Sequence, residues 1–190
     1  MLITKFILLF FTLLSSETIE NIHTIYNYNV VDIDGDTISM KKFKGKNILL
    51  VNVASKCGYT DQYQELQLLH DKYHSQLAVL GFPSNDFLWQ EPGSNAEIKE
   101  FCKREYGVEF SMFEKIHVKG KKQHPIYTWL SDSKLNGWND KSPTWNFWKY
   151  FINEKGALIA YYPSSINPTD TVITRHLNVE LSSDKVKTSD

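Results

Sequence analysis

Residues 47–60, "NILLVNVASKCGYT", carry an apolar run rich in valine and leucine straight into a lone cysteine, a glycine and a polar segment. Such an unbroken run predicts a central strand covered on both faces. Beyond Gly58, residues 60–75 place Tyr63, Leu66, Leu69 and Tyr73 at helical spacing, and "LAVLGF" (77–82) reads as a second buried strand. Strand, helix and strand in so short a span make a βαβ unit with a right-handed crossover. Ligand sites in such sheets lie beyond the carboxyl ends of the strands, and Cys57 stands at one.

The flanking segments fill in an α/β domain with a mixed sheet and helices on both faces. "YNVVDIDGDTISM" alternates around an Asp-Gly turn and predicts an N-terminal β-hairpin. Its "DIDGD" resembles a calcium loop only in part: the glycine comes too early, and Phe43 stands where the last carboxylate belongs. Ser94 and Glu97 form a capping box ahead of a helix that Gly107 should end. Cys102 lies inside that helix, four residues after Ile98, and is expected to be at least partly buried. Pro125 marks another helix start. "NFWKYFIN" and "ALIAYYP" read as an antiparallel pair. A last helix is expected from Pro168 to about Leu181, with Val172, Ile173, His176 and Leu177 inward.

The chain has 190 residues, 42% of them hydrophobic, which suits one domain with one core. A formal net charge of −1 with scattered lysines gives no footprint for nucleic acid. Lys5 and the block "FILLFFTLL" match a secretory signal in size and are short for a bilayer span. The expected organisation is a signal peptide at 1–16, the domain at 17–182 and a polar tail at 183–190. Leucines where small residues are wanted make the cleavage site poor, so an uncleaved membrane anchor is the alternative. An exported chain would meet conditions in which disulfides persist.

Two cysteines, Cys57 and Cys102, admit two readings: one structural disulfide, or a reactive thiol. The second is favoured by position. A helix N-terminus, the close backbone approach that Gly58 allows and the cation of Lys56 would each favour a thiolate at residue 57.

The wider wording points the same way. "VNVASKCGYTDQYQELQLLHDKY", "GFPSNDFLWQEPGSNAEI", "MFEKIHVKG" and "WNFWKYFI" resemble, in order and interval, the glutathione peroxidase family, a branch of the thioredoxin-like fold. The resemblance runs from about Tyr26 to Leu177. It implies a peroxidase acting on hydrogen peroxide and organic or lipid hydroperoxides, with Cys57 at the peroxidatic position where some relatives carry selenocysteine. Trp145 and Asn146 fall on two further members of the family's catalytic tetrad, and both are neutral donors suited to a thiolate and a peroxide.

The fourth tetrad position departs from the family. Relatives usually read Asn-Gln-Phe-Gly; here Asn85, Asp86, Phe87 and Leu88 stand in that order. A carboxylate donates no hydrogen bond, and beside a thiolate it would oppose ionisation. The expectation is that Asp86 points away and that Asn85 or Gln90 supplies the amide.

Cys102 falls where the two-cysteine, thioredoxin-dependent branch carries its resolving cysteine. The implied cycle runs through a Cys57 sulfenic acid and a Cys57–Cys102 disulfide that a thioredoxin-like dithiol protein reduces, with glutathione the lesser reductant. A helical, partly buried Cys102 does not readily reach a thiol at a strand end, so the helix over residues 94–106 is expected to unwind locally during turnover. No cofactor and no metal is expected, because His70 and His74 have the spacing for a metal but no third ligand. The resemblance implies a monomer, because relatives that form tetramers tend to carry an extra segment in the region where 131–143 is short. The alternatives are a disulfide oxidoreductase, disfavoured because Thr60 stands where Cys-x-x-Cys needs its second thiol, and a redox sensor or inert scaffold with a permanent disulfide.

Overall fold

The computed structural model describes residues 23–177. The expected signal peptide, the tail and the end of the last helix lie outside these residues. A hairpin of β1 (Asn29–Val31) and β2 (Thr37–Ser39) leads into a five-stranded mixed sheet. That sheet contains β3 (Asn47–Val53), β4 (Leu77–Pro83), β5 (Ser111–Met112), β6 (Lys149–Ile152) and β7 (Leu158–Tyr162), in the order β5-β4-β3-β6-β7. β3 pairs in parallel with β4, and β4 with β5, whereas β6 runs antiparallel to both β3 and β7.

The unbroken apolar run of β3 is explained by its neighbours. Ile48 and Leu50 pack into one core; Leu49, Val51 and Val53 pack into a second core on the opposite face. Burying each such side chain contributes roughly 1.5–3 kcal/mol, so the strand tolerates few polar positions. The exception is Asn52, wholly buried and committed to hydrogen bonds near the site. The first core is closed by α3 (Pro125–Leu130), whose Ile126, Tyr127, Trp129 and Leu130 all face inward. The second is closed by α1 (Gln62–Tyr73), α2 (Asn95–Tyr106) and α5 (Thr171–Thr174). A single turn, α4 (Ser133–Asn136), follows α3.

Helix α2 has the ends its sequence predicts. Ser94 and Glu97 exchange hydrogen bonds as a capping box, and Gly107 closes the C-terminus at φ 61°. Only Ile98 and Cys102 on this helix are fully buried. Its outer face carries one tie to the hairpin, a Lys99–Asp34 ion pair at 2.5 Å.

Two elements differ from expectation. α1 starts at Gln62, leaving a turn between Cys57 and the helix. Thr60 causes it: its hydroxyl accepts the Cys57 N–H at 2.9 Å and reaches the carbonyls of Ala54 and Cys57. The last helix, expected from Pro168, begins at Thr171 behind the Asp170 cap, and a tighter turn at Arg175–Leu177 follows its four residues.

Candidate active site

Three loops meet at the carboxyl end of β3. The first is the turn after β3 that carries Cys57. Cys57 is half-buried, and its sulfur accepts the Tyr59 N–H at 3.4 Å. The donors around Cys57 thus come from a turn rather than from the first residues of a helix. The Lys56 N–H donates to the Gln90 carbonyl at 3.0 Å, fixing this turn to the second loop, which follows β4.

The third segment, residues 145–148, precedes β6. Asn52 organises it from the middle of the sheet: its side-chain amide donates to the Trp145 carbonyl at 3.0 Å, and its own carbonyl accepts the Phe147 N–H at 2.6 Å. Phe147 is held at φ 62°, a left-handed conformation that a side chain rarely adopts, so the turn is strained. Lys149, wholly buried, reaches back to the Phe147 carbonyl at 2.7 Å. Burial brings this lysine down to about 7, against the opposing pull of Glu65. Sequence reasoning passed over both Asn52 and Lys149; a polar residue inside each apolar strand was the available signal.

Asn146 is buried, and its Nδ2 donates to Gln90 Oε1 at 2.9 Å. Trp145 is partly buried against the Phe87 ring, with centroids 5.8 Å apart. Trp145 and Tyr59 line one shallow depression of about 350 Å³, so the indole and the Cys57 turn share a surface.

Asp86 is turned out of this cluster. Its carboxylate accepts from His117 Nδ1 at 2.7 Å and from the N–H groups of Val118 at 2.7 Å and Lys119 at 3.3 Å. Asn85 is also engaged elsewhere, its Oδ1 accepting the Glu91 N–H at 2.9 Å. Of the side-chain amides in this loop, Gln90 is the one joined to Asn146.

Cys102 is buried in the intact α2, and both thiols are free. Burial pushes the Cys102 thiol up to about 11; the neighbouring Tyr63 hydroxyl pulls the other way, and Glu91 adds to the rise. The Tyr63 hydroxyl is itself buried without a partner of hydrogen-bond geometry among the described residues. His70 and His74 lie side by side on α1, rings 6.1 Å apart, and among the described residues no group of three metal-binding side chains gathers. Among those residues, no helix is long and apolar enough to cross a membrane.

The sequence model of the family described as "Glutathione peroxidase" matches residues 25–131, more than half of the chain. The chain belongs to the glutathione peroxidase family. It is 40% identical over 148 residues to the glutathione peroxidase homolog BsaA of Bacillus subtilis, covering 77% of this chain and 92% of that protein. It is 39% identical over 156 residues to the hydroperoxy fatty acid reductase gpx1 of Synechocystis, covering 78% and 91%. The crystal structure of T. cruzi GPX1 superposes with a TM-score of 0.64 at 28% identity, covering 82% of this chain and 94% of that one. This member of the family therefore has the thioredoxin-like fold and is a peroxidase.

Proposed function

We propose that this family member is a two-cysteine thiol peroxidase for hydrogen peroxide and organic or lipid hydroperoxides, with a thioredoxin-like dithiol protein as reductant. The observation that carries the reading is the setting of Cys57: a half-buried residue whose sulfur accepts a backbone N–H, on a turn joined through Gln90 to the buried amide of Asn146.

The Cys57 thiolate attacks one peroxide oxygen, the O–O bond breaks, and the departing oxygen leaves as water or an alcohol. Gln90 takes the amide role that Asp86 vacates, with Asn146 and the Trp145 indole completing the donor set. The rim favours substrates larger than hydrogen peroxide: Leu88 and Trp89 are 67% and 77% exposed beside the site, and Tyr59 is half as open. A relative named hydroperoxy fatty acid reductase fits that surface.

Cys102 then closes a disulfide with the oxidised Cys57. Its burial and high pKa require α2 to open first, and two fully buried side chains are a weak hold on twelve residues. The N-terminal apolar block supports export, where an exchange-competent dithiol protein is the fitting reductant.

Peroxide consumption by the purified protein, coupled in turn to a thioredoxin system and to glutathione, tests the reading. Turnover is expected with the thioredoxin system, abolished in Cys57→Ser and lost in Cys102→Ser. Equal turnover with glutathione in Cys102→Ser would overturn the two-cysteine assignment.

A further inference from the structure

Glu91 is a buried acid that the cycle above does not use. It is wholly inaccessible, although it follows Gln90 directly on the loop that meets the Cys57 turn. One carboxylate oxygen, Oε1, accepts the Ser55 hydroxyl at 2.5 Å; the other, Oε2, has no partner among the described residues. An unpaired buried carboxylate oxygen is costly and calls for a reason.

Its surroundings supply one. Glu91 lines a cavity of about 340 Å³ whose walls are Ser55 and Lys56 from the Cys57 turn and Glu97, Ile98 and Phe101 from α2. The cavity thus separates the segments that carry the two thiols. Cys102 and Tyr63 both lie close enough to feel the charge of Glu91. The acid is fastened to the Cys57 side, through Ser55 and through the Lys56–Gln90 backbone bond, so it stays there when α2 opens.

We propose that Glu91 is the proton-transfer group of the resolving step, accepting the Cys102 S–H proton and passing it to the oxygen that leaves Cys57. The inference rests on the two-cysteine reading. In the step, the Cys102 sulfur attacks the Cys57 sulfur, the S–S bond forms and the S–O bond breaks. The S–O electron pair leaves with oxygen, which collects the proton and departs as water. The Cys102 sulfur is oxidised and the Cys57 sulfur reduced, so no outside oxidant or reductant enters.

The acid–base properties of the site agree. Once α2 has opened and released Cys102 from the burial that holds its thiol up, an ordinary thiol of pKa about 8.5 is still only a few per cent ionised at neutral pH and gains from a base. Burial raises Glu91 above the ordinary carboxylate range, against the Ser55 hydrogen bonds and the charges of Lys115 and Lys56, which brings it nearer to working pH. The charged and titratable groups facing it are Lys56 on the turn, Lys115 after β5, Glu97 and Cys102 on α2, and Tyr63 on α1.

Rapid mixing of the reduced full chain with one equivalent of hydrogen peroxide, over a range of pH, tests the proposal. Sulfenic acid at Cys57 is trapped with a dimedone-type reagent, and disulfide closure is followed by mass. Glu91→Gln is expected to oxidise Cys57 at the wild-type rate and to close the disulfide about tenfold more slowly or worse. The wild-type closure rate levels off above the Glu91 ionisation, whereas in Glu91→Gln it keeps climbing with pH; Glu91→Asp, one methylene shorter, keeps a plateau but at a shifted pH and a lower rate. Closure at the wild-type rate and pH profile in Glu91→Gln overturns the proposal, as does equal slowing of oxidation and closure in both variants. If Glu91→Gln does not fold, Glu91→Asp decides alone: an unchanged plateau position and rate count against Glu91. A wild-type chain whose sulfenic acid persists as in Cys102→Ser removes the two-cysteine reading instead.

Discussion

The side-chain amide of Asn146 donates to Gln90 Oε1 at 2.9 Å, joining the segment before β6 to the loop after β4 across 56 positions. The same Gln90 accepts the Lys56 N–H through its backbone carbonyl. One residue therefore holds two of the three segments in register with the Cys57 turn. Asp86, four positions earlier, ties down residues 117–119.

That division of labour separates two substitutions. Gln90→Ala is expected to lower the rate of Cys57 oxidation by hydrogen peroxide about tenfold or more, because the Asn146 amide loses the acceptor that orients it and the site loses the side-chain amide proposed for it. Asp86→Ala should leave that rate within about threefold. It should cost about 1–3 kcal/mol of stability, because N–H donors of the 117–119 segment lose their acceptor. Stopped-flow oxidation and urea unfolding of both variants decide this. A sharp rate loss in Asp86→Ala alone would reverse the assignment.

Leu88 and Trp89 stand at φ 52° and 54°, both in the left-handed region. Leu88→Gly removes the steric cost of a side chain there and gives up little buried surface. It is expected to stabilise the protein by about 1 kcal/mol. Thermal unfolding of the variant gives the answer, and a lowered midpoint would show that the loop is not strained.

The same two side chains form the apolar rim. Replacing both with serine is expected to raise KM for a fatty-acid hydroperoxide about five- to tenfold, roughly 1 kcal/mol of lost apolar contact. The hydrogen peroxide rate should hold within about twofold. Equal effects on both substrates would place the pair in the catalytic turn rather than on its rim.

Lys149 carries a pH signature. An unfolded lysine keeps its proton to about 10.4, whereas the folded protein gives it up at about 7. Between those values the unfolded state binds more protons, so the contribution of Lys149 to stability rises with pH, by up to about 1.4 kcal/mol per unit. Its penalty is greatest below pH 7. The stability of the wild type minus that of Lys149→Met should therefore climb from pH 7 to pH 10. A flat difference would mean that the folded lysine stays charged throughout.

Opening of α2 is addressed through its cap. Ser94→Ala removes the acceptor for the Glu97 N–H and the hydroxyl that bonds the Glu97 carboxylate, at a cost of about 1 kcal/mol. If the helix must unwind for Cys102 to act, closure of the disulfide is expected to accelerate about fivefold while Cys57 oxidation is unchanged. Slower closure would instead mean that Cys102 reacts from a helix that stays folded.

The sequence by itself determined the βαβ core, the position of Cys57 beyond a central strand and the capped helix around Cys102. These follow from apolar runs, helical spacing and turn chemistry, which neighbouring residues encode. It misjudged the start of α1, because the Thr60 hydroxyl competes for the backbone that would have begun the helix. The tertiary structure alone decided that Gln90 meets Asn146, that Asp86 turns to His117, that Asn52 and Lys149 brace the strained Phe147 turn, and that Glu91 lies between the two cysteine segments. Those contacts bring together residues from different loops, and a loop's polar side chains have no period that says which way they face. Only closing the sheet chooses their partners.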